Sequence, residues 1–188
     1  STAAGSHELA VYHLSDLPLR EDGPGDHIDP DLLDDSDRFY RISLGGRPLG
    51  MRVTKDGRAV IANALLNTVQ VVDLGERRLA QTIELGGPRE PSLARLGEEI
   101  FYDAQRSTDQ WYSCHSCHFE GGANAGTMDT NNDGSTGTYK TVLSLRNVTK
   151  TAPWFWHGWQ QDLSDAVRKS LTDSMQGPSP NDEEVQSL

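Results

Sequence analysis

The chain has 188 residues, of which 35% are hydrophobic and 24% are charged, a composition typical of one large or two small globular domains. Its formal net charge of −11 argues against nucleic-acid binding, because a strongly acidic surface repels the phosphate backbone. No apolar run approaches the about 20 residues that a membrane-spanning helix needs, so we expect no membrane span.

The first half of the chain contains an internal repeat that an insertion interrupts. Residues 8–14 align with residues 68–74, and residues 41–46 align with residues 82–87, at offsets of 60 and 41 residues. The first copy therefore carries 19 extra residues, which fall in an acidic insertion at 16–37 that prolines and glycines break. The offset of 41 residues matches the period of a β-propeller blade.

Four short strands are predicted within the second copy, at 49–53, 59–63, 69–72 and 80–85. Turn sequences rich in Gly, Asn and Asp separate them. Four antiparallel strands of this length make one propeller blade.

The second copy also contains short characteristic segments, which are Arg47-Pro48-Leu49-Gly50, Lys55-Asp56-Gly57-Arg58, Ala62-Asn63, Asn67-Thr68-Val69-Gln70-Val71-Val72-Asp73 and Gln81-Thr82-Ile83. With them, residues 39–88 resemble one blade of a YVTN-type β-propeller. We therefore expect residues 1–88 to form a partial propeller of about one and a half blades. Such a part is either a piece of a longer propeller or a remnant packed on a neighbour. Its open sheet edges would pair with another chain or with the remaining blades.

The character of the sequence changes after residue 88. Apolar periodicity predicts helices at 92–102 and 162–171, and a capping sequence at 181–184 predicts the start of a third. We expect that helix to continue beyond the chain. Residues 103–140 are rich in Gly, Asn, Asp, Ser and Thr and are predicted to be mostly loop. Residues 89–188 thus form a mainly α domain, and the fold class is α+β.

The sequence Cys114-His115-Ser116-Cys117-His118 has the Cys-x-x-Cys-His spacing of a c-type haem attachment site. The two thiols can add to the porphyrin vinyl groups, and His118 can bind iron on the proximal face. These are the only two cysteines, and neither further zinc ligands at the right spacing nor a thioredoxin-like βαβ context accompanies them. We expect one covalent haem c. Because haem is attached outside the cytoplasm, we also expect a periplasmic or other extracytoplasmic location and an export signal ahead of this start, which carries none.

Three blocks accompany the motif, at 96–103, 141–148 and 152–158. With the motif they resemble the bacterial di-haem cytochrome c peroxidases, and relatives in which a YVTN propeller precedes a cytochrome c domain. The resemblance implies that residues 89–188 adopt a cytochrome c-like fold. Those peroxidases carry two haem motifs, whereas this chain carries one.

A single haem motif favours electron transfer, with a basic or neutral redox partner protein because the chain is acidic. The alternative is a peroxidase-like haem oxidoreductase whose remaining parts lie outside this chain. A third hypothesis is a structural binding module whose haem domain is vestigial.

Three side chains are candidates for the distal iron ligand, since haem c of electron-transfer proteins usually takes Met or His there. Met175 lies after the second predicted helix, at a usual cytochrome distance from the motif, and ranks first. His157 lies among tryptophans suited to a haem edge and ranks second. Met128, in a Gly/Asn-rich loop, ranks third. A methionine that fills a core and a structural histidine are the plain alternatives.

Two tryptophans, Trp154 and Trp156, are predicted to line the haem pocket, because each buries a large apolar area. Arg146 is a candidate partner for a haem propionate through a bidentate charge-assisted hydrogen bond. An arginine on the surface is the equal alternative.

Residues Asp129 to Gly134 match the opening of a Ca²⁺-binding loop, Asp-x-Asn-x-Asp-Gly. The twelfth position is Lys140, where the usual loop has a bidentate Glu. Ca²⁺ is therefore the minority hypothesis and an Asx-rich turn the alternative.

Overall fold

The computed structural model describes residues 1–13, 34–87 and 90–188. They form two compact units, Ser1–Gly87 and Pro88–Leu188. The first unit is built from β-sheets and the second mainly from helices, so the α+β fold class is confirmed. Residues 14–33 lie outside the described part, and the predicted acidic insertion at 16–37 is therefore described only from Asp34 onward.

The described residues of the first unit form two antiparallel sheets. The three-stranded sheet has the order β1 (Thr2–Ala3), β2 (Glu8–Tyr12) and β3 (Phe39–Ser43). The four-stranded sheet has the order β4 (Pro48–Val53), β5 (Arg58–Asn63), β6 (Thr68–Asp73) and β7 (Arg78–Glu84). All four strands predicted in the second copy are confirmed within two residues at each end. The two halves of the internal repeat correspond to the pairs β2–β3 and β6–β7.

One apolar cluster joins the two sheets. Its fully or nearly buried side chains come from both of them and are Leu9, Ile42, Leu44, Ala59, Ile61 and Val72. Alternate residues of β5 and β6 point into this cluster, which is the two-residue periodicity of a half-buried strand.

A buried polar pair fixes the segment that connects the sheets. Asn63 Nδ2 donates to the Gly45 carbonyl at 2.8 Å and to Gln70 Oε1 at 3.0 Å, and Gln70 Nε2 donates to the Leu44 carbonyl at 2.7 Å. Asn63 Oδ1 accepts from the Arg47 backbone N–H at 2.8 Å. Both amides are 2% exposed or less, so these bonds replace the water that burial removed.

The described residues of the second unit form four α-helices, which are α1 (Leu93–Tyr102), α2 (Cys114–Cys117), α3 (Leu163–Lys169) and α4 (Asp182–Ser187). Ser92 caps α1, and Asn181 and Glu184 form a capping box on α4, so both predicted helix starts are confirmed. The helix predicted at 162–171 is only partly right. Its α-helical part ends at Lys169, and a π-helical turn, Ser170–Ser174, follows it.

Helices α1 and α4 cross at a glycine. A Cβ atom on Gly97 would lie 1.9 Å from the Ser187 carbonyl oxygen, so only glycine permits this approach. Glycine inside a helix costs about 1 kcal/mol relative to alanine, and the close packing of the two helices offsets that cost. A core of Ile100, Leu171 and Met175 lies beside the crossing. None of the helices in the described part of the chain has the length and apolar character needed to span a bilayer.

Candidate haem-binding site

The Cys-x-x-Cys-His motif forms helix α2, a single turn. Ser113 and Ser116 close a capping box at its start, where the Ser113 N–H donates to Ser116 Oγ at 3.0 Å. At the other end the Asn124 side chain donates to the Ser116 carbonyl at 3.0 Å. Because residues three apart share a helix face, the turn presents the two thiols on one side. Neither cysteine is in a disulfide.

His118 is held by a main-chain acceptor far along the sequence. Its Nδ1 lies 2.9 Å from the Leu143 carbonyl oxygen, which can only accept, so Nδ1 carries the proton. The other ring nitrogen, Nε2, then keeps its lone pair. Burial lowers the pKa of His118, which favours the neutral imidazole. A neutral ring with one nitrogen anchored is the form in which histidine binds a metal.

The thiols are poor nucleophiles in this environment. Burial raises the pKa of Cys114 to about 11, and it also raises the pKa of Cys117. Both remain protonated near neutral pH. A redox-active dithiol would need a lowered thiol pKa, so this pair does not have the properties of one.

Each thiol lies against a methionine sulfur. Met175 Sδ is 3.7 Å from Cys114 Sγ, and Met128 Sδ is 3.3 Å from Cys117 Sγ. Met175 follows the π-helical turn and is 4% exposed. Met128 lies in the short strand β8 (Thr127–Met128), which pairs with β9 (Lys140–Thr141), and is half-buried.

An open cavity of about 260 Å³ adjoins Cys117. Trp111, Met128 and Val142 contribute apolar lining. Trp111 is 81% exposed, and Leu143, which follows Val142 in the sequence, is 46% exposed. The Cys117 thiol therefore lies beside apolar surface that has room for a further group.

A family model of the di-haem cytochrome c peroxidases matches residues 91–188, just over half of the chain. The chain belongs to the di-haem cytochrome c peroxidase family. No curated protein and no solved structure matches it. The match begins after the first unit, so it covers the motif and every candidate ligand but none of the β-strands at 1–87.

Proteins of this family bind haem c, and the residues around the motif fit that group. Two thiols on one helix face can take the vinyl groups, and thioether sulfurs lie near both cysteines. With the proton on Nδ1, His118 has a lone pair on Nε2 that can bind iron. The exposed apolar surface near Cys117 suits a porphyrin face.

The tryptophan block is tied to the main chain rather than to the motif. Trp154 Nε1 donates to the Val148 carbonyl and Trp156 Nε1 to the Thr141 carbonyl, both at 2.8 Å. Trp154 is half-buried and Trp156 is 51% exposed. His157 is exposed, and its ring centroid lies 5.1 Å from that of Trp159. The contacts of this block thus anchor it to residues 141–148, on both sides of Leu143.

Arg146 is exposed and lies beside the end of the motif segment. The Leu145 N–H donates to the Gly121 carbonyl at 3.0 Å, and the Arg146 guanidinium lies next to Gly122. Among the described residues no carboxylate pairs with it, so its donors remain open to an anionic group.

A lysine downstream pairs with the Asp129–Gly134 segment. Lys140 Nζ pairs with Asp133, and both side chains are at most 10% exposed. Hydrogen bonds from Lys140 and Ser135 hold the pKa of Asp133 well below its usual range. Asp129 accepts from three backbone N–H groups. Within the described residues no group of three His, Cys, Asp or Glu side chains is arranged to hold a metal ion.

Sequence patterns missed the acceptor that orients His118. It is a main-chain carbonyl 25 residues downstream, and a backbone atom leaves no mark on residue type. The contacts between the sulfurs of the cysteines and the methionines were missed for a related reason, because they join residues as far as 61 positions apart.

Proposed function

We propose that this protein transfers single electrons through one haem c attached at Cys114 and Cys117, with His118 as the proximal and Met175 as the distal iron ligand. The observation that carries the proposal is the hydrogen bond from His118 Nδ1 to the Leu143 carbonyl. It leaves Nε2 available on a motif whose thiols share a helix face. Membership of a haem-binding oxidoreductase family supports the same function.

The roles of the protein groups follow from their environments. The bound haem supplies the one-electron chemistry, by cycling between Fe(III) and Fe(II). The Leu143 carbonyl fixes the ring of His118 and raises its basicity as a ligand. Met175 supplies a soft thioether, which stabilises the ferrous state and raises the potential. The apolar surroundings of Met175 exclude water from that side.

Met175 is favoured over the other candidates because its position is fixed by burial and by backbone hydrogen bonds. It is buried, and its backbone N–H and carbonyl are bonded to Ser170 and Thr108, both at 2.9 Å. Met128 lies on a two-residue strand at the edge of an open cavity, which leaves it more freedom. His157 is exposed and has its ring contact with Trp159.

The test is spectroscopic. The haem-loaded protein should keep its haem in acidified acetone, as thioether-linked haem does, and should be low-spin in both oxidation states. The ferric form should show the weak far-red absorption of methionine-ligated haem. Met175→Ala should abolish that band and lower the potential, whereas the matched variant Met128→Ala should retain both. Loss of the band in Met128→Ala alone would assign the ligand to the other methionine and refute Met175.

A second candidate function is peroxidase-like oxidation, which the family membership favours. It requires a distal position that peroxide can reach, and the open cavity beside Cys117 is the described space nearest to the motif. A high-spin ferrous state together with rapid reaction with hydrogen peroxide would support this function over simple electron transfer. A low-spin protein inert to peroxide would exclude it for this chain.

Arg146, Trp154 and Trp156 are proposed to complete the haem site. The open donors of Arg146 suit a propionate, and the indole rings suit an apolar edge. An Arg146→Gln variant should shift the reduction potential and its pH dependence. An unchanged potential would return Arg146 to a surface role.

Residues 1–88 are proposed to be a YVTN-type partial propeller preceding a cytochrome c-like domain at 89–188. A four-stranded antiparallel meander packed on a second sheet supports this proposal. Strand β7 is exposed along most of its length, so its open edge could pair with a further strand. A periplasmic location and a basic or neutral redox partner complete the proposal. Haem attachment that occurs only in cells exporting the chain would support the location.

A further inference from the structure

The side chain of Tyr112 connects the haem attachment segment to the segment that carries Met175. Tyr112 lies two residues before Cys114, and its hydroxyl donates to the carbonyl of Ser174, 62 residues downstream. Ser174 is the last residue of the π-helical turn and directly precedes Met175. A carbonyl at the end of a helix has no partner within the helix, so this side chain satisfies an acceptor that would otherwise need water.

The peptide groups on both sides of Met175 are held by one short stretch of chain. Tyr112 binds the carbonyl before Met175, and the Thr108 N–H donates to the carbonyl of Met175 itself at 2.9 Å. The stretch is itself anchored, because Ser107 Oγ accepts from the Tyr112 N–H at 3.2 Å. The ring of Tyr112 also packs on the core formed by Ile100, Leu171 and Met175.

The restraint by Tyr112 acts on a π-helical turn, which determines the position of Met175. A turn with i to i+5 hydrogen bonds is rare and less regular than an α-helix, and such turns occur often at functional sites. Here it ends with the bond from the Met175 N–H to the Ser170 carbonyl at 2.9 Å. Anything that loosens the turn would move the Met175 sulfur away from Cys114, its present neighbour at 3.7 Å.

We propose that Tyr112 is a positioning residue that holds Met175 in place as the distal ligand and so limits displacement of the thioether by other ligands. This inference rests on the proposed ligation by Met175. Displacement requires the sulfur and its turn to move, and that movement must break the hydrogen bond from Tyr112 to Ser174. Without the hydroxyl the turn opens more easily, and an external ligand competes better for the iron.

The experiment is a titration of the haem-loaded full chain with imidazole, which replaces methionine on ferric haem. Tyr112→Phe keeps the ring and its packing and removes only the hydroxyl. Since one hydrogen bond is lost, the imidazole affinity should rise roughly two- to tenfold, with a weaker far-red band before addition. Tyr40→Phe is the matched control, because the Tyr40 hydroxyl also donates to a main-chain carbonyl, that of Leu74 at 3.0 Å, but in the other unit. It should leave the imidazole affinity unchanged.

The outcomes separate this inference from the proposed ligand. If Met175→Ala keeps the far-red band, the ligand assignment fails and the inference fails with it. If Met175→Ala loses the band but Tyr112→Phe binds imidazole as the parent does, the ligand assignment stands and the positioning role is refuted. If Tyr112→Phe does not fold, the solvent exchange of the Tyr112 hydroxyl proton is measured in the unmodified ferrous protein instead of the imidazole titration. The Tyr112 hydroxyl proton should exchange slowly with solvent, and rapid exchange would overturn the inference.

Discussion

Replacing Gly97 by alanine tests the helix crossing that closes the second unit. Alanine favours a helix interior by about 1 kcal/mol over glycine, so propensity alone predicts a gain in stability. The added Cβ would lie 1.9 Å from the Ser187 carbonyl oxygen, against an ordinary contact of 3.4 Å or more, so α4 must move. Moving α4 loosens the packing of Val185, which is 5% exposed, and the Arg106–Glu184 ion pair at 2.7 Å.

The magnitude follows from those two contacts. Exposing a buried valine costs about 1.5–3 kcal/mol, and breaking a hydrogen bond between charged groups costs about 1.5–3 kcal/mol. Against the gain of about 1 kcal/mol from helix propensity, Gly97→Ala should lower the free energy of unfolding by about 2–5 kcal/mol. All four tryptophans lie at residues 111–159, so tryptophan fluorescence in a urea titration reports on the second unit alone.

Gly50→Ala is the matched control, since its Cβ would meet only the Ala62 Cβ at 3.8 Å, an ordinary contact. It lies in the first unit and should leave the tryptophan transition unchanged. Unchanged or increased stability of Gly97→Ala would mean that helix propensity outweighs the contact, and the close approach of α1 and α4 would be refuted.

Three further predictions concern other sites. Asn63→Ala should destabilise the first unit by about 2–4 kcal/mol in a urea titration followed by circular dichroism, because it leaves several buried partners unpaired, and the exposed Gln81→Ala should have little effect. Because the pKa of Asp133 is lowered in the folded state, its stabilising contribution should be complete above about pH 4, its pKa in the unfolded chain, and should decline at lower pH. Lys140→Met should flatten that pH dependence in acid-unfolding curves. Identical curves for the parent and the variant would contradict the ion pair. In the haem-free Cys117→Ser chain, Cys114 should react slowly with iodoacetamide near about pH 8, and its rate should rise about tenfold per pH unit toward the pKa of about 11. Rapid reaction at neutral pH would show that the Cys114 thiol is not buried.

Local sequence signals predicted most elements of the fold. Alternation of apolar residues located the four strands of the second sheet, and the capping residues Ser92 and Asn181 located two helix starts. The end of the second helix was not predictable in this way. The residues 170–171 continue a helical pattern, and the change to a π-helical turn depends on tertiary contacts such as that of Tyr112 with Ser174.

In the candidate site, too, the local features were predictable from the sequence and the long-range contacts were not. The spacing of Cys114, Cys117 and His118 is local, so the sequence alone pointed to the chemistry. The partners that prepare those residues are remote or belong to the backbone, as the Leu143 carbonyl and the Met175 sulfur illustrate. From the sequence, Lys140 only indicates that the Glu of a Ca²⁺-binding loop is absent. The structure adds that Lys140 forms an ion pair with Asp133 within the loop region.

The hydrogen bond between His118 and Leu143 also bears on the order in which the molecule matures. In an extended chain nothing holds the proton on Nδ1 of His118, because its acceptor is 25 residues away and comes close only when the chain has folded. The thiols and the imidazole are contiguous in sequence and are ready as soon as they are synthesised. If haem is attached at these thiols as proposed, its attachment and the completion of its ligand sphere are therefore separable events, and the second depends on the folding of the surrounding chain.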